Sequence, residues 1–362
     1  MIGGTLFWYF SRRFLVTALQ LFAGITVIIF LVDFTEFARR TSSHPEYSVQ
    51  IGLLASALRI PLILQTAIPF MVMIAAMVTL TALNRRYELV VARASGISAW
   101  QFLAPLLFVS FTLGLFATMV FNPLSATALS AAQEIESRLV GGGAARPGGD
   151  QVPWLRQRTE DGTTIIGAAH TARRGQLLSD ATFIEIDENG DVRQRIDAGQ
   201  AELVPGAWEL QDATLLRRGN TPQRMDTMRV PSNLDPSFVE ERFTVPEIIS
   251  VYDLPRKIAA SRSFGMTGNA FATHFHSLLA LPFLLVAMTM IAATVTMRFA
   301  RMGQPIYIIL GGILAGFLLY VLTAVMRAFG STDIVPPLIA AWLPVLIAGF
   351  YGVTFLLYKE DG

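Results

Sequence analysis

The chain has 362 residues, with 28 Lys and Arg against 27 Asp and Glu, and its formal net charge of +1 points to neither nucleic acid nor an acidic substrate. It contains no cysteine, which excludes disulfides, a thiolate nucleophile and Cys-ligated metal.

Taken in chain order, six runs are predicted to span a membrane: Phe14–Val32, Ile60–Leu83, Trp100–Leu124, Phe271–Met297, Pro305–Met326 and Val335–Tyr358. None contains Asp, Glu, Lys or Arg. A hydrocarbon core of ~30 Å needs about 20 apolar helical residues, and a charge at its centre costs roughly 2.5–3.5 kcal/mol. Six charge-free runs exceed what the buried helices of a soluble protein supply. Arg12 and Arg13 precede the first run as they would in a secretory signal. That run is too long, and the following Asp33-Phe34-Thr35-Glu36 offers no small-residue cleavage site, so a retained anchor is expected.

Between runs two and three lies Asn84-Arg85-Arg86-Tyr87-Glu88-Leu89-Val90-Val91-Ala92-Arg93-Ala94-Ser95-Gly96-Ile97-Ser98. Gly96 is placed to end a short helix in the left-handed conformation, and Ser98 with Gln101 forms a capping box that starts run three. Leu89-Val90-Val91-Ala92 puts apolar side chains on more than one face, which suits burial against protein or a lipid interface.

From about Ser125 to Ala270 the composition changes. The glycine-rich 141–149 stretch breaks any helix, and beyond it short runs alternate apolar and polar residues between turn signals. Ile184 and Ile186 share a face before Asn189-Gly190; Leu203 precedes Pro205-Gly206, after which Trp208 and Leu210 resume. An antiparallel sheet of eight or more short strands is expected, packed as a sandwich or jelly roll. Its apolar interior suits acyl chains or is simply a core. With no disulfide available, that core alone must hold it. Glu247 to Arg262 turns helical, with Ile248, Val251, Tyr252 and Ile258 spaced for one face, Asp253 as cap and Pro255 in the first turn.

His274 and His276 open run four, but two residues apart on a helix they diverge by about 200° and do not chelate one ion. Gly312-Ile313-Leu314-Ala315-Gly316 is a GxxxG that permits close helix approach. The arginines alternate: Arg12 and Arg13, then Arg85, Arg86 and Arg93, then Arg298 and Arg301, with Lys359 at the end. Positive-inside places both termini in the cytoplasm and 125–270 on the other side. The organisation is therefore residues 1–124 as helices one to three with a cytoplasmic helix near 84–96, 125–270 as the β domain and connector, and 271–362 as helices four to six.

Arg86-Tyr87-Glu88-Leu89-Val90-Val91-Ala92-Arg93-Ala94-Ser95-Gly96-Ile97-Ser98 resembles the coupling-helix signature of the lipopolysaccharide-export permeases LptF and LptG. Tyr9-Phe10…Arg13-Phe14 with Leu31-Val32-Asp33-Phe34, Pro282, Gly303…Gly316-Phe317…Tyr320, and Val335-Pro336-Pro337 extend the resemblance along the chain. The "LVDF" after helix one and the Pro-Pro opening of helix six are more similar to the LptG branch. The resemblance implies six transmembrane helices and a periplasmic β-jelly roll between the third and fourth. It also implies a Gram-negative inner-membrane location and a heterodimer with an LptF-type permease. Further implied partners are an LptB-type ATPase dimer holding ATP and Mg, an LptC-type single-helix protein leading to a periplasmic bridge, and lipopolysaccharide as cargo.

No Gly-x-x-x-x-Gly-Lys-Ser/Thr is present, so the chain is expected to be non-catalytic and to bind no cofactor itself. In the resemblance, Glu88 with Arg86, Leu89, Arg93 and Gly96 meets the ATPase; the plainer alternative is a solvated Glu88 balancing Arg85 and Arg86. Arg39 and Arg40 beyond run one, Arg59 before run two and Arg327 after run five are candidate contacts for lipid phosphates, or ordinary interfacial anchors. Gly312 and Gly316 are candidate helix-interface residues. The family's basic residues near the end of helix one fall out of register with Arg39 and Arg40. An LptF-type subunit, an intramembrane hydrolase using His274, and a membrane-anchored scaffold are the competing readings.

Overall fold

The computed structural model describes residues 4–42, 47–139, 154–159, 162–172, 176–186, 191–217, 221–232, 245–263, 267–296 and 306–360. The glycine-rich 141–149 loop, the Asn189-Gly190 turn, Arg298, Arg301 and Gly303 lie outside them.

The helices are α1 (Gly4–Thr41), α2 (Val49–Arg85), α3 (Glu88–Ala94), α4 (Ala99–Phe116), α5 (Asn122–Leu139), α6 (Leu254–Ser263), α7 (Asn269–Thr296), α8 (Ile306–Ser331) and α9 (Pro337–Glu360). Among the described residues, six stretches are long and apolar enough to cross a membrane: Gly4–Thr41, Val49–Arg85, Ala99–Glu136, Asn269–Thr296, Leu310–Ser331 and Pro337–Tyr358. They coincide with the six charge-free runs but extend beyond several of them, because hydrogen bonding carries a helix past the last apolar residue. Arg39 and Arg40, beyond the first charge-free run, accordingly lie in the last turn of α1; Arg59 is within α2 and Arg327 within α8.

Packing divides the chain into two units, Met1–Asp33 with Ala57–Leu129 and Pro246–Gly362, and Phe34–Ser56 with Ser130–Val245. The connector thus packs with the helices. In the helical unit, Phe10, Phe14, Met73, Leu80, Phe102, Leu106 and Leu285 form one apolar core. Side chains of small volume let its helices touch. A Cβ on Gly114 of α4 would collide with the backbone of Pro282 in α7, and Ser110 Oγ lies 2.6 Å from Thr289 Oγ1 across the same interface.

Between α4 and α5 the chain makes a π-helical turn, Ala117–Phe121. Such a turn disturbs the regular backbone ladder, and the connector and α7 supply partners around it. Thr118 Oγ1 donates to the Leu278 carbonyl at 2.8 Å, the Tyr252 hydroxyl donates to the Met119 carbonyl at 2.9 Å, and the Val251 N–H donates to Asn122 Oδ1 at 2.9 Å. Val251, Leu254 and Ile249 are buried with Phe271 and Leu278. Tyr252, expected on that face, is instead exposed and acts through its hydroxyl.

Among the described residues the second unit holds six antiparallel strands, β1 (Trp154–Thr159), β2 (Gly162–Ala172), β3 (Leu177–Ile186), β4 (Val192–Val204), β5 (Ala207–Arg217) and β6 (Gln223–Pro231), each paired with the next. The described strands are fewer and longer than the eight or more expected, and they contain no crossover. Pro205-Gly206 makes the β4–β5 turn, with Gly206 at φ 85°, as its sequence requires. Asp180 and Asp212, at φ 51°, interrupt the ladders, whose register is the same on either side of each. The edges meet: Gln157 of β1 donates to the Pro231 carbonyl at 3.1 Å and accepts from Ser232 Oγ at 2.8 Å. The rolled sheet buries Ile166, Phe183, Ile196, Trp208, Leu210 and Leu215 on one face.

Candidate functional site

The α2–α3–α4 elbow is held at both ends by local chemistry. Tyr87 takes φ 59° to turn the chain into α3, and Gly96 takes φ 83° to turn it out. Ser98 and Gln101 form the reciprocal capping box, each contact 3.2 Å. Leu89 and Ala92 are buried in the chain's own core, while Tyr87, Val90 and Val91 remain exposed. The mixed apolar surface of the sequence therefore resolves into one face that packs inward and one that faces out. Leu89 anchors the elbow and is not available for a direct contact. Arg85 and Arg86 are exposed beside it, and Arg93 belongs to the same helix.

Glu88 is bound neither by solvent alone nor by Arg85 and Arg86. Arg13 Nη1 of α1 donates to its Oε1 at 2.9 Å, and the same nitrogen contacts the Tyr9 hydroxyl at 2.8 Å. The guanidinium also sits over the Tyr9 ring, 5.9 Å from its centre. Arg13 and Glu88 are only 19% and 26% exposed, so the pair is partly shielded and ties α3 to α1. No local pattern signals this pairing, because 75 residues separate the partners.

Arg39 and Arg40 share one carboxylate. Arg39 forks onto Glu36 with contacts of 2.9 and 2.8 Å, and Arg40 Nε reaches the same group at 2.7 Å. One negative charge serves two cations, leaving the exposed cluster net positive. Arg59 Nε lies 3.7 Å from Asp33 of α1 and is committed to it.

Gly312 and Gly316 make contacts within the chain. A Cβ on Gly312 would come within 2.8 Å of Val295 in α7, and one on Gly316 would strike the sulfur of Met73 in α2. The GxxxG thus seats α8 against α2 and α7.

Arg327 occupies a cavity between α2, α7, α8 and the 3-10 turn Pro246–Ile248. His274, Thr273, Ser277 and Glu247 line the same space, none of which the sequence ties to an arginine 50 or more residues away.

The chain matches the family model of the lipopolysaccharide export system permease LptF/LptG over residues 8–359. No individual curated protein matches it significantly. The match takes in the elbow, all six long apolar helices and the sheet between the third and fourth of them, and the chain belongs to the LptF/LptG family of lipopolysaccharide export system permeases.

Proposed function

We propose that this permease subunit is the LptG-type half of an ATP-binding-cassette exporter in the Gram-negative inner membrane, with cytoplasmic termini and a periplasmic β-jelly roll. Lipopolysaccharide enters sideways between helices from the outer leaflet. ATP binding by an LptB-type dimer closes the cavity, and the rolled sheet passes the acyl chains to an LptC-type protein and the periplasmic bridge. The chain carries no phosphate cradle and contributes no catalytic group, so the energy enters through the elbow.

The observation that carries this reading is the elbow itself: a short helix fixed at both ends and clamped by Arg13–Glu88, yet presenting Tyr87 at 71% and Val91 at 66% exposure. A rigid, outward apolar face beside Arg85 and Arg86 suits a protein partner and transmits movement to α1. In this reading Arg39 and Arg40 offer their net positive cluster to lipid A phosphates, which arginine binds bidentately. Reconstitution with an LptF-type permease and the ATPase tests it: lipopolysaccharide should stimulate ATP hydrolysis, and Tyr87→Glu with Val91→Glu should abolish ATPase association while the chain stays folded. Full association by that double variant would remove the elbow from the interface.

A further inference from the structure

Two cavities in the helical unit share a wall. The first, about 460 Å³, is lined by Gln65, Glu247, Thr273, His274, Ser277 and Arg327 among others. The second, about 510 Å³, is apolar, bounded by Ile63, Ala67, Phe70, Phe317 and Tyr320. Leu62 and Thr66 of α2 border both, so an apolar groove between α2 and α8 adjoins the polar chamber.

Five side-chain atoms around the chamber are shielded and have no hydrogen-bond partner: Arg327 Nε, Glu247 Oε2, His274 Nε2, Thr273 Oγ1 and Ser277 Oγ. Interiors satisfy such groups almost without exception, so five orphans around one space indicate an occupant. Arg327 and Glu247 carry opposite charges into the same chamber, and no salt bridge joins them among the described residues. An anion would suit Arg327 and be opposed by Glu247. A cation would suit Glu247 and be opposed by Arg327. A zwitterion with phosphate and ammonium a few atoms apart meets both.

We propose that this is a binding site for a glycerophospholipid with a phosphoethanolamine headgroup. The phosphate lies against Arg327 and the Thr273 and Ser277 hydroxyls, the ammonium against Glu247, and an acyl chain follows the groove between α2 and α8. The two volumes admit one headgroup and part of a chain; a diphosphorylated disaccharide with several chains is too large, which separates this ligand from the exported cargo. The bound lipid bridges Glu247 of the connector turn and Arg327 of α8. The site requires only that the helices lie in a bilayer, so it stands or falls independently of the export assignment.

The full chain, placed in nanodiscs of equimolar phosphatidylethanolamine and phosphatidylglycerol and re-extracted into detergent, should retain phosphatidylethanolamine preferentially by native mass spectrometry. Arg327→Gln should lower that retention about tenfold, the loss of one charge-assisted contact. Glu247→Gln should reverse the headgroup preference, since the carboxylate no longer repels phosphatidylglycerol. Ile63→Trp should fill the groove and reduce both lipids. Thermal unfolding identifies any variant that does not fold. The wild type supplies a second measurement, because phosphatidylethanolamine with a photoactivatable acyl chain should label Phe70, Phe317 or Tyr320. Equal retention of the two lipids by wild type and both charge variants, retained lipopolysaccharide in place of phospholipid, or a hydrated cavity with no photolabel would each overturn the proposal. Loss of lipopolysaccharide-stimulated ATPase activity with phosphatidylethanolamine retention intact would refute the export assignment alone.

Discussion

Removing Arg13 is the sharpest test of how the elbow works. If Glu88 acts by being held to α1, then Arg13→Gln should reproduce the defect of Glu88→Gln, although residue 13 lies outside the coupling segment. The pair is 2.9 Å long and neither side chain is more than 26% exposed. Exposed pairs are worth about 0–1 kcal/mol, whereas truncating one partner of a fully buried pair costs about 3–5 kcal/mol. Partial burial puts the coupling energy at about 0.5–2 kcal/mol. A double-mutant cycle of Arg13→Gln, Glu88→Gln and both, followed by denaturation in detergent, isolates that coupling. Partner-dependent ATPase activity is then read on the same four proteins. Activity should fall in both single variants, with the double variant no worse than either. An additive cycle, or an active Arg13→Gln beside an inactive Glu88→Gln, would refute the clamp and leave Glu88 as a direct partner contact.

Gly114→Val should lower stability by about 1–3 kcal/mol, because the new side chain meets the Pro282 backbone, which cannot rotate away; an unchanged denaturation midpoint would contradict the close approach. Trp208 is fully buried, with its ring 6.0 Å from Phe183, so Trp208→Ala should cost about 3–5 kcal/mol. Hydrogen exchange should accelerate in β4 and β5, and protection equal to wild type would count against that core. Asn122→Ala leaves the buried Val251 N–H without its acceptor, at about 1–3 kcal/mol, while Asn122→Asp keeps an acceptor and should retain more stability. Faster exchange at Val251 in the alanine variant is the measurement, and its absence would show that the connector does not depend on this contact.

The sequence by itself determined the six membrane-length helices, since the penalty for charge in hydrocarbon depends only on composition along one segment. It also determined the Gly96 turn, the Ser98–Gln101 capping box and the Pro205-Gly206 hairpin turn, whose causes lie within a few residues of each other. The tertiary structure decided what each of these elements faces. Leu89 and Val91 are equally apolar in sequence, yet one is core and the other surface, because only the packing of α3 chooses the buried side. Glu88 sits beside two arginines but pairs with a third from α1, and Arg327, one charge near a helix end in the sequence, turns out to share a chamber with Glu247 and His274. Such pairings join residues many tens of positions apart. No local periodicity encodes them; they exist only once the helices have packed and fixed the distances on which charge and hydrogen bonding act.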